Sequence, residues 1–298
     1  MSVIYYNTIK CEDSYKSGEH CRNNAYYCYL GKNVCGVHSK KEERVKLPRD
    51  PNSKQKKETV LKDRIARVEK KAARNKRKGK RGKVICTKLR MMKQPDHVDG
   101  FLKVFPNFKH QNRNDGFGCK SLSPKDMGPI DHGQPGMPIA LNLENFHQGN
   151  KVFPVEVDEK KEPVERFFET QRKMYQDPIP HRHKKEAVGK NKNIPVYSLW
   201  KREDGTLVKC TYFESRQFYC TYYERIAPTL DDFEYLQDLL NDGYNLQICG
   251  YDAYDITGTL EEHYCDITRP FGHELVLYTL LTAEPDDYPW RKYKTEEF

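Results

Sequence analysis

The chain lacks any apolar run of roughly 18 residues, the length needed to cross a bilayer, so no membrane span is expected. Its opening residues, MSVIYYNTIK, lack the charged-then-apolar pattern of a secretory signal, so secretion is not indicated. There is no Walker loop, nucleophile elbow, kinase motif set or H-E-x-x-H helix, which removes the enzyme classes most easily read from sequence. Apolar residues are also scarce. The composition is 37% hydrophobic and 32% charged, where a globular domain has about 45–50% and about 25%. One continuous core through all 298 residues is therefore not expected.

Charge is abundant but unevenly placed. The formal net charge is +9. Residues 1–100 hold 27 basic and 11 acidic residues, whereas 196–298 hold 9 basic and 20 acidic. Between 51 and 90 there are 17 Lys and Arg against Glu58, Asp63 and Glu69. Such a run repels itself and has few apolar groups to bury. Leu61, Ile65, Val68 and Ala72 nevertheless recur at helical spacing, so a basic helix or disordered linker is expected over 51–93. Lys70, Lys71, Arg74, Lys76, Arg77, Lys78, Lys80 and Arg81 are its candidate contacts to nucleic-acid phosphates. Nothing in the run suits base reading, so binding to DNA or RNA would be indifferent to sequence. A membrane surface is a weaker fit because the apolar face has no aromatic anchor. A solvated linker or a nuclear-localisation peptide would carry the same charge.

Ten cysteines without a secretory signal point to metal binding or reduced thiols rather than disulfides. Four crowd into residues 11–35. Cys35 and His38 form a C-x2-H pair, and Cys11 and Cys21 flank a Gly-containing turn. Together Cys11, Cys21, Cys35 and His38 make a closed Cys3His set for structural zinc. Cys28 could replace Cys11, and His20 is a rival ligand. The segment resembles a short zinc motif of phage, bacterial and large-DNA-virus proteins, carried here by Cys11, Gly18, Cys21, Ala25, Cys35 and His38.

Residues 94–195 hold 11 of the 17 Pro and 8 of the 18 Gly. Long helices or central strands are not expected there. Many amides, histidines and phenylalanines (His147 and Gln148 among them) argue against a bare linker. An extended wrapping segment with one or two short strands is expected, packed on the C-terminal domain or on a protein partner. His181 and His183, beside RHKK, read as a solvated loop.

From 196 the pattern becomes that of a small α/β domain. VYSLW and TLVKCTYF read as strands around Asp204–Gly205, and ESRQFYCTYYERIA reads as a helix. Thr229 and Asp232 suggest a capping box for a second helix, with Gly243 as its left-handed C-terminal cap. YNLQICG is a buried strand, and GHELVLYTLL is a third helix. Ligands of open α/β sheets bind beyond strand C-termini, so Cys249, Gly250, Tyr251 and Asp252, with the helix start Phe271, Gly272, His273 and Glu274, form a candidate site. His273, Glu274 and Glu214 are its candidate acid–base groups, and Arg216 its candidate phosphate clamp.

This half resembles a small phage and bacterial domain family with a Gly-x-x-Leu-x-Cys-x-Cys strand followed by a Cys-His-x-x-x-Leu helix. Gly243, Leu246, His273 and Leu277 match it. The strand Cys positions are Ile248 and Gly250 here, and Gly272 replaces the helix Cys. The half is also loosely similar to N-glycosidases acting on ADP-ribose-type metabolites. The whole combination resembles proteins of large DNA viruses, which implies a reducing compartment: host cytoplasm, nucleus or virion. The overall expectation is an α+β protein with four parts: a zinc module (1–50), a basic linker (51–93), an extended irregular middle (94–195) and a small α/β domain (196–298). Its leading function is sequence-indifferent nucleic-acid association. The alternatives are a nucleotide or ADP-ribose enzyme and a purely structural interaction protein.

Overall fold

The computed structural model describes residues 4–6, 8–49, 52–91, 95–107, 110–183 and 194–293. The mixed α/β class is as expected, and the chain forms two compact units, residues 1–64 and 65–298.

Unit 1 is built on three short antiparallel strands, β1 (Tyr27–Tyr29), β2 (Lys32–Val34) and β3 (Val45–Lys46), in the order β2-β1-β3. The β1–β2 turn places Leu30 and Gly31 at φ 47° and 75°. Two successive positive φ values give the turn that matches strand twist, and Gly31 supplies one of them without strain. Hydrophobic burial is meagre: Cys11, Cys21, Val34 and Cys35 form the cluster, with Tyr26 and Tyr29 against it. Helix α1 (Ser53–Arg77) begins within these residues. Of its expected apolar face, Val68 and Ala72 are buried, whereas Ile65 is exposed.

Unit 2 carries a four-stranded parallel sheet in the order β4-β10-β5-β6, from β4 (Val84–Lys88), β5 (Phe101–Phe105), β6 (Phe117–Gly118) and β10 (Asn245–Gly250). In register, Ile248 faces Cys86 on one side and Val104 on the other. All six β10 residues are buried, as befits a strand flanked by neighbours and covered by helices. Both of its sheet partners precede residue 106, so the strand at 245–250 has none within 196–298. The Pro/Gly-rich middle thus supplies an internal strand, β5, contrary to expectation. The proline and glycine residues fall at the ends of this element, not inside it: Gly100 precedes β5 and Pro106 follows.

A smaller antiparallel sheet joins β7 (Lys151–Val152), β8 (Tyr197–Lys201) and β9 (Leu207–Cys210). The helices are α2 (Leu143–Gly149), α3 (Glu165–Gln176), α4 (Tyr212–Ile226), α5 (Asp231–Asn241), α6 (Leu260–Cys265), α7 (His273–Thr282) and α8 (Pro289–Lys292). The twelve-residue α3 is a second departure from the expected irregular middle. Phe146 of α2 sits among the rings of His132, Tyr175, Trp200, Phe218 and Tyr222 at 4.8–6.3 Å. Burial of such rings dominates core energetics, and here it ties the middle segment to α4.

The expected Thr229–Asp232 capping box does not form. Leu230 is the N-cap of α5, and Asp232 instead accepts from the Ser121 backbone and hydroxyl at 3.2 and 2.5 Å. The capping boxes stand at Thr211–Glu214 and Thr259–Glu262, opening α4 and α6. Gly243 does sit at φ 89° just past α5, the left-handed position read from sequence.

Candidate functional site

Cys11, Cys21, Cys35 and His38 converge in unit 1, with their ligand atoms all within 4.8 Å of one another. The three cysteines are buried and His38 is half-buried. Cys21 Sγ and Cys35 Sγ are 3.8 Å apart, and His38 Nδ1 lies 3.4 Å from Cys11 Sγ and 3.5 Å from Cys35 Sγ. A tetrahedral ion with about 2.3 Å bonds to sulfur and about 2.0–2.1 Å to nitrogen would set these separations near 3.8 and 3.5 Å. The donor set and the spacing both fit a four-coordinate metal.

Outer contacts orient these ligands, as metal sites require. The Cys35 N–H points at Cys11 Sγ at 3.3 Å, and the Tyr15 hydroxyl lies 3.5 Å from Cys21 Sγ. Burial raises the Cys21 thiol, but the hydrogen bonds from Tyr15 and the Asn23 backbone outweigh it and bring the group to about 7. A tight turn brings Cys35 and His38 to the same cluster: His38 N–H donates to the Cys35 carbonyl at 3.2 Å. Cys28 lies on β1 outside the cluster, and His20 pairs with Ser14, so neither joins the set.

In unit 2, a cleft of about 540 Å³ opens beyond the carboxyl ends of β5 and β10. Binding clefts for small molecules have this size and position. Of the residues singled out from sequence, Tyr251, Asp252, Phe271, Gly272, His273, Glu274 and Arg216 line it. The His273 Nε2 lies 2.7 Å from the Pro106 carbonyl. A carbonyl only accepts, so Nε2 carries the hydrogen and Nδ1 turns toward Glu274 Oε2 at 3.3 Å. Glu274 is 1% exposed, and its Oε2 has no well-formed hydrogen bond among the described residues. A Cβ on Gly250 would come within 1.9 Å of Glu274 Oε1, so Gly250 makes room for this carboxylate rather than contacting a ligand.

Two sequence assignments lie elsewhere, and a third, Arg216, lines the cleft with its guanidinium already committed. Glu214 closes the α4 capping box, accepting from the Thr211 N–H at 2.5 Å, and lines no part of the cleft. Cys249 is buried beside Leu89 and Phe105, and burial pushes its thiol up to about 12. Arg216 is 4% exposed, and its guanidinium is spent on the carbonyls of Tyr264, Asp266 and Arg269. It fixes the loop leading to the cleft rim, which removes most of its capacity to clamp phosphate.

The residues that sequence reasoning did not assign come from the middle segment: Glu144, His147, Lys151 and Arg182. Burial, then the nearby Lys151 and Arg182 charges, pushes His147 well below its usual range, so it stays neutral. Its Nδ1 has no partner among the described residues. Burial also lowers the Lys151 amine to about 8; Glu144 opposes this and Arg182 adds to it. An amine near 8 is partly uncharged at neutral pH and is a usable nucleophile or base. The density of polar residues in NLENFHQGNK was the available signal. His183, expected in a solvated loop, is buried against Phe153, 3.8 Å from Glu156. Lys184 and Lys185 of that loop lie outside the described residues.

On the basic run, Lys76 pairs with Asp242 at 2.6 Å, and Arg81 donates to the Leu281 carbonyl and Asn241. These two are docking contacts within unit 2. Lys70, Lys71, Arg74, Arg77, Lys78 and Lys80 are exposed.

No protein-family model matches the chain, and no curated protein or solved structure matches it either. Among the described residues, no helix is long and apolar enough to cross a membrane.

Proposed function

We propose that unit 2 hydrolyses the N-glycosidic bond of a nucleotide- or ADP-ribose-type compound and that unit 1 holds a structural zinc ion. The observation that carries the reading is the composition of the cleft. One space at the strand ends combines the carboxylates of Glu144, Asp252 and Glu274, the cations Lys151 and Arg182, and the rings of Tyr251 and Phe271. Phosphate oxygens suit the cations, and an aromatic face suits a base.

Cleaving such a bond needs a proton for the departing base, negative charge beside the sugar carbon, and a nucleophile. The adjacent His273 and Glu274 can hold one proton between them and return it to the leaving base. Glu144 or Asp252 stabilises the positive charge developing at the sugar carbon. Water then adds to that carbon as the bond to the base breaks, and the proton it loses passes to the His273–Glu274 pair, replacing the one given to the base. All four protein positions of the metal set are side chains, which leaves no open coordination site and makes the zinc structural.

The test incubates the full chain with nucleosides, nucleoside monophosphates, nicotinamide adenine dinucleotide and ADP-ribose conjugates, and separates released base by chromatography. Release that Glu274→Gln and Lys151→Gln each abolish supports the reading. No release from any of them, with no thermal shift by ADP-ribose, overturns it.

A further inference from the structure

The C-terminal part of α1 and the turn after it carry a run of cations that the cleft does not use. From Lys70 to Arg81 there are eight basic residues and no acidic one. At 100° per residue, Lys70, Lys71, Arg74 and Arg77 fall within an arc of about 120°. Val68, Ala72 and Asn75 occupy the opposing side and hold the helix on unit 2. Val68 and Ala72 are buried, and the Asn75 amide donates to the Gly243 carbonyl at 2.8 Å and to Asn245 at 3.3 Å. The Lys76–Asp242 pair and the Arg81 contact to the Leu281 carbonyl add two further ties. The cation stripe is thus presented by an anchored helix, not by a free tail.

A solvated helix face ordinarily mixes both signs at i,i+4. Here Lys70–Arg74 and Arg74–Lys78 are like-charged pairs at that spacing, and no residue within the stretch relieves them. The arrangement opposes its own folding unless an anion lies against it. We propose that this stripe, centred on Lys70, Arg74 and Lys78 and flanked by Lys71, Arg77 and Lys80, docks the phosphate backbone of a nucleic acid without reading its sequence. Lys70 and Arg74 are about 6 Å apart along the helix axis, close to two of the ~3.4 Å phosphate intervals along the axis of a duplex strand. Asn75, the one side-chain amide in the stretch and the residue suited to an adenine edge, is committed to Gly243 and Asn245. The absence of aromatic residues from 53–81 disfavours a bilayer surface.

This inference stands apart from the cleft chemistry, and its test reads binding alone. The full chain is titrated into fluorescently labelled duplex DNA, single-stranded DNA and RNA of two unrelated sequences each, at several salt concentrations. A Lys70→Gln/Arg74→Gln/Lys78→Gln triple variant is compared with a Lys160→Gln/Lys173→Gln control; glutamine preserves helix propensity, and circular dichroism checks the fold. The expected result is binding of both sequences with equal affinity. For the triple variant, log K against log salt becomes shallower by about 2.7 on duplex or about 2.1 on single strands. The duplex, single-strand and RNA arms identify which backbone is preferred. Absence of binding at low salt, an unchanged slope in the triple variant, or stripe-dependent binding to anionic vesicles but to no nucleic acid would each overturn the proposal.

Discussion

Unit 1 and unit 2 solve the problem of stability in opposite ways. Unit 1 has three short strands and a cluster in which three of four buried residues are cysteines. Remove the attraction that gathers those thiols and His38, and Val34, Tyr26 and Tyr29 have little to pack on. Unit 2 buries more than thirty residues in one continuous cluster, many of them aromatic, drawn from both helices and strands. It can hold a buried carboxylate, a neutral histidine and a lysine of lowered basicity in its cleft because that core tolerates their cost. On the proposed reading, a unit held by coordination spends its side chains on the ion, whereas a unit held by burial has side chains left for chemistry.

Stripping the metal gives the largest contrast. Structural zinc contributes about 10–16 kcal/mol of apparent binding energy in small modules. A chelator should therefore collapse the amide dispersion of unit 1 in NMR spectra of the full chain and leave unit 2 resonances in place; unchanged unit 1 resonances would contradict the comparison. Native mass spectrometry should show one zinc lost. The reciprocal experiment is Phe146→Ala, expected to cost unit 2 about 3–5 kcal/mol in denaturant unfolding with bound metal unaffected. A smaller effect is expected at the cleft. Gly250→Ala forces Glu274 aside and should cost about 1–3 kcal/mol, abolishing ligand-induced thermal shifts. Retention of those shifts would mean that the Glu274 position is unimportant. Thr211→Ala removes a helix cap at about 1 kcal/mol. It and Glu214→Gln should leave turnover intact, since that pair acts on α4 alone.

A further effect concerns pH. Lys151 has a folded pKa of about 8 against an ordinary 10.5. Between these values the unfolded chain binds more protons, so this group makes stability rise with pH across that window. Below about 8 its destabilising effect is present in full. Lys151→Met should therefore raise the Tm at pH 7 and lose that advantage as pH approaches 10.5. An equal gain at both ends would show that the amine is not desolvated.

Some of this was readable residue by residue. The Cys3His set was legible because its spacing is local: Cys35 and His38 share one turn, and Cys11 and Cys21 lie 10 residues apart. The start of α7 at His273 and the left-handed Gly243 were legible for the same reason, since caps are set by neighbouring residues. The capping boxes show the limit of local reading. Thr229–Asp232, Thr211–Glu214 and Thr259–Glu262 have the same form, yet Ser121, 111 residues away, diverts Asp232. Arg216 looked like a phosphate ligand until three carbonyls from 264–269 surrounded it.

By itself, then, the sequence determined the ligand chemistry of unit 1, the basic and apolar faces of α1, and the mixed helix–strand character of unit 2. Only the tertiary structure decided that β10 pairs with β4 and β5 from more than 140 residues earlier, which sets the cleft at their ends. It alone decided that Glu144, His147 and Lys151 line the same cleft as His273 and Glu274. The reason is physical. Ligand spacing and helix periodicity act over a few residues, whereas parallel pairing and the desolvation that tunes Lys151 and His147 depend on what the rest of the chain places against them.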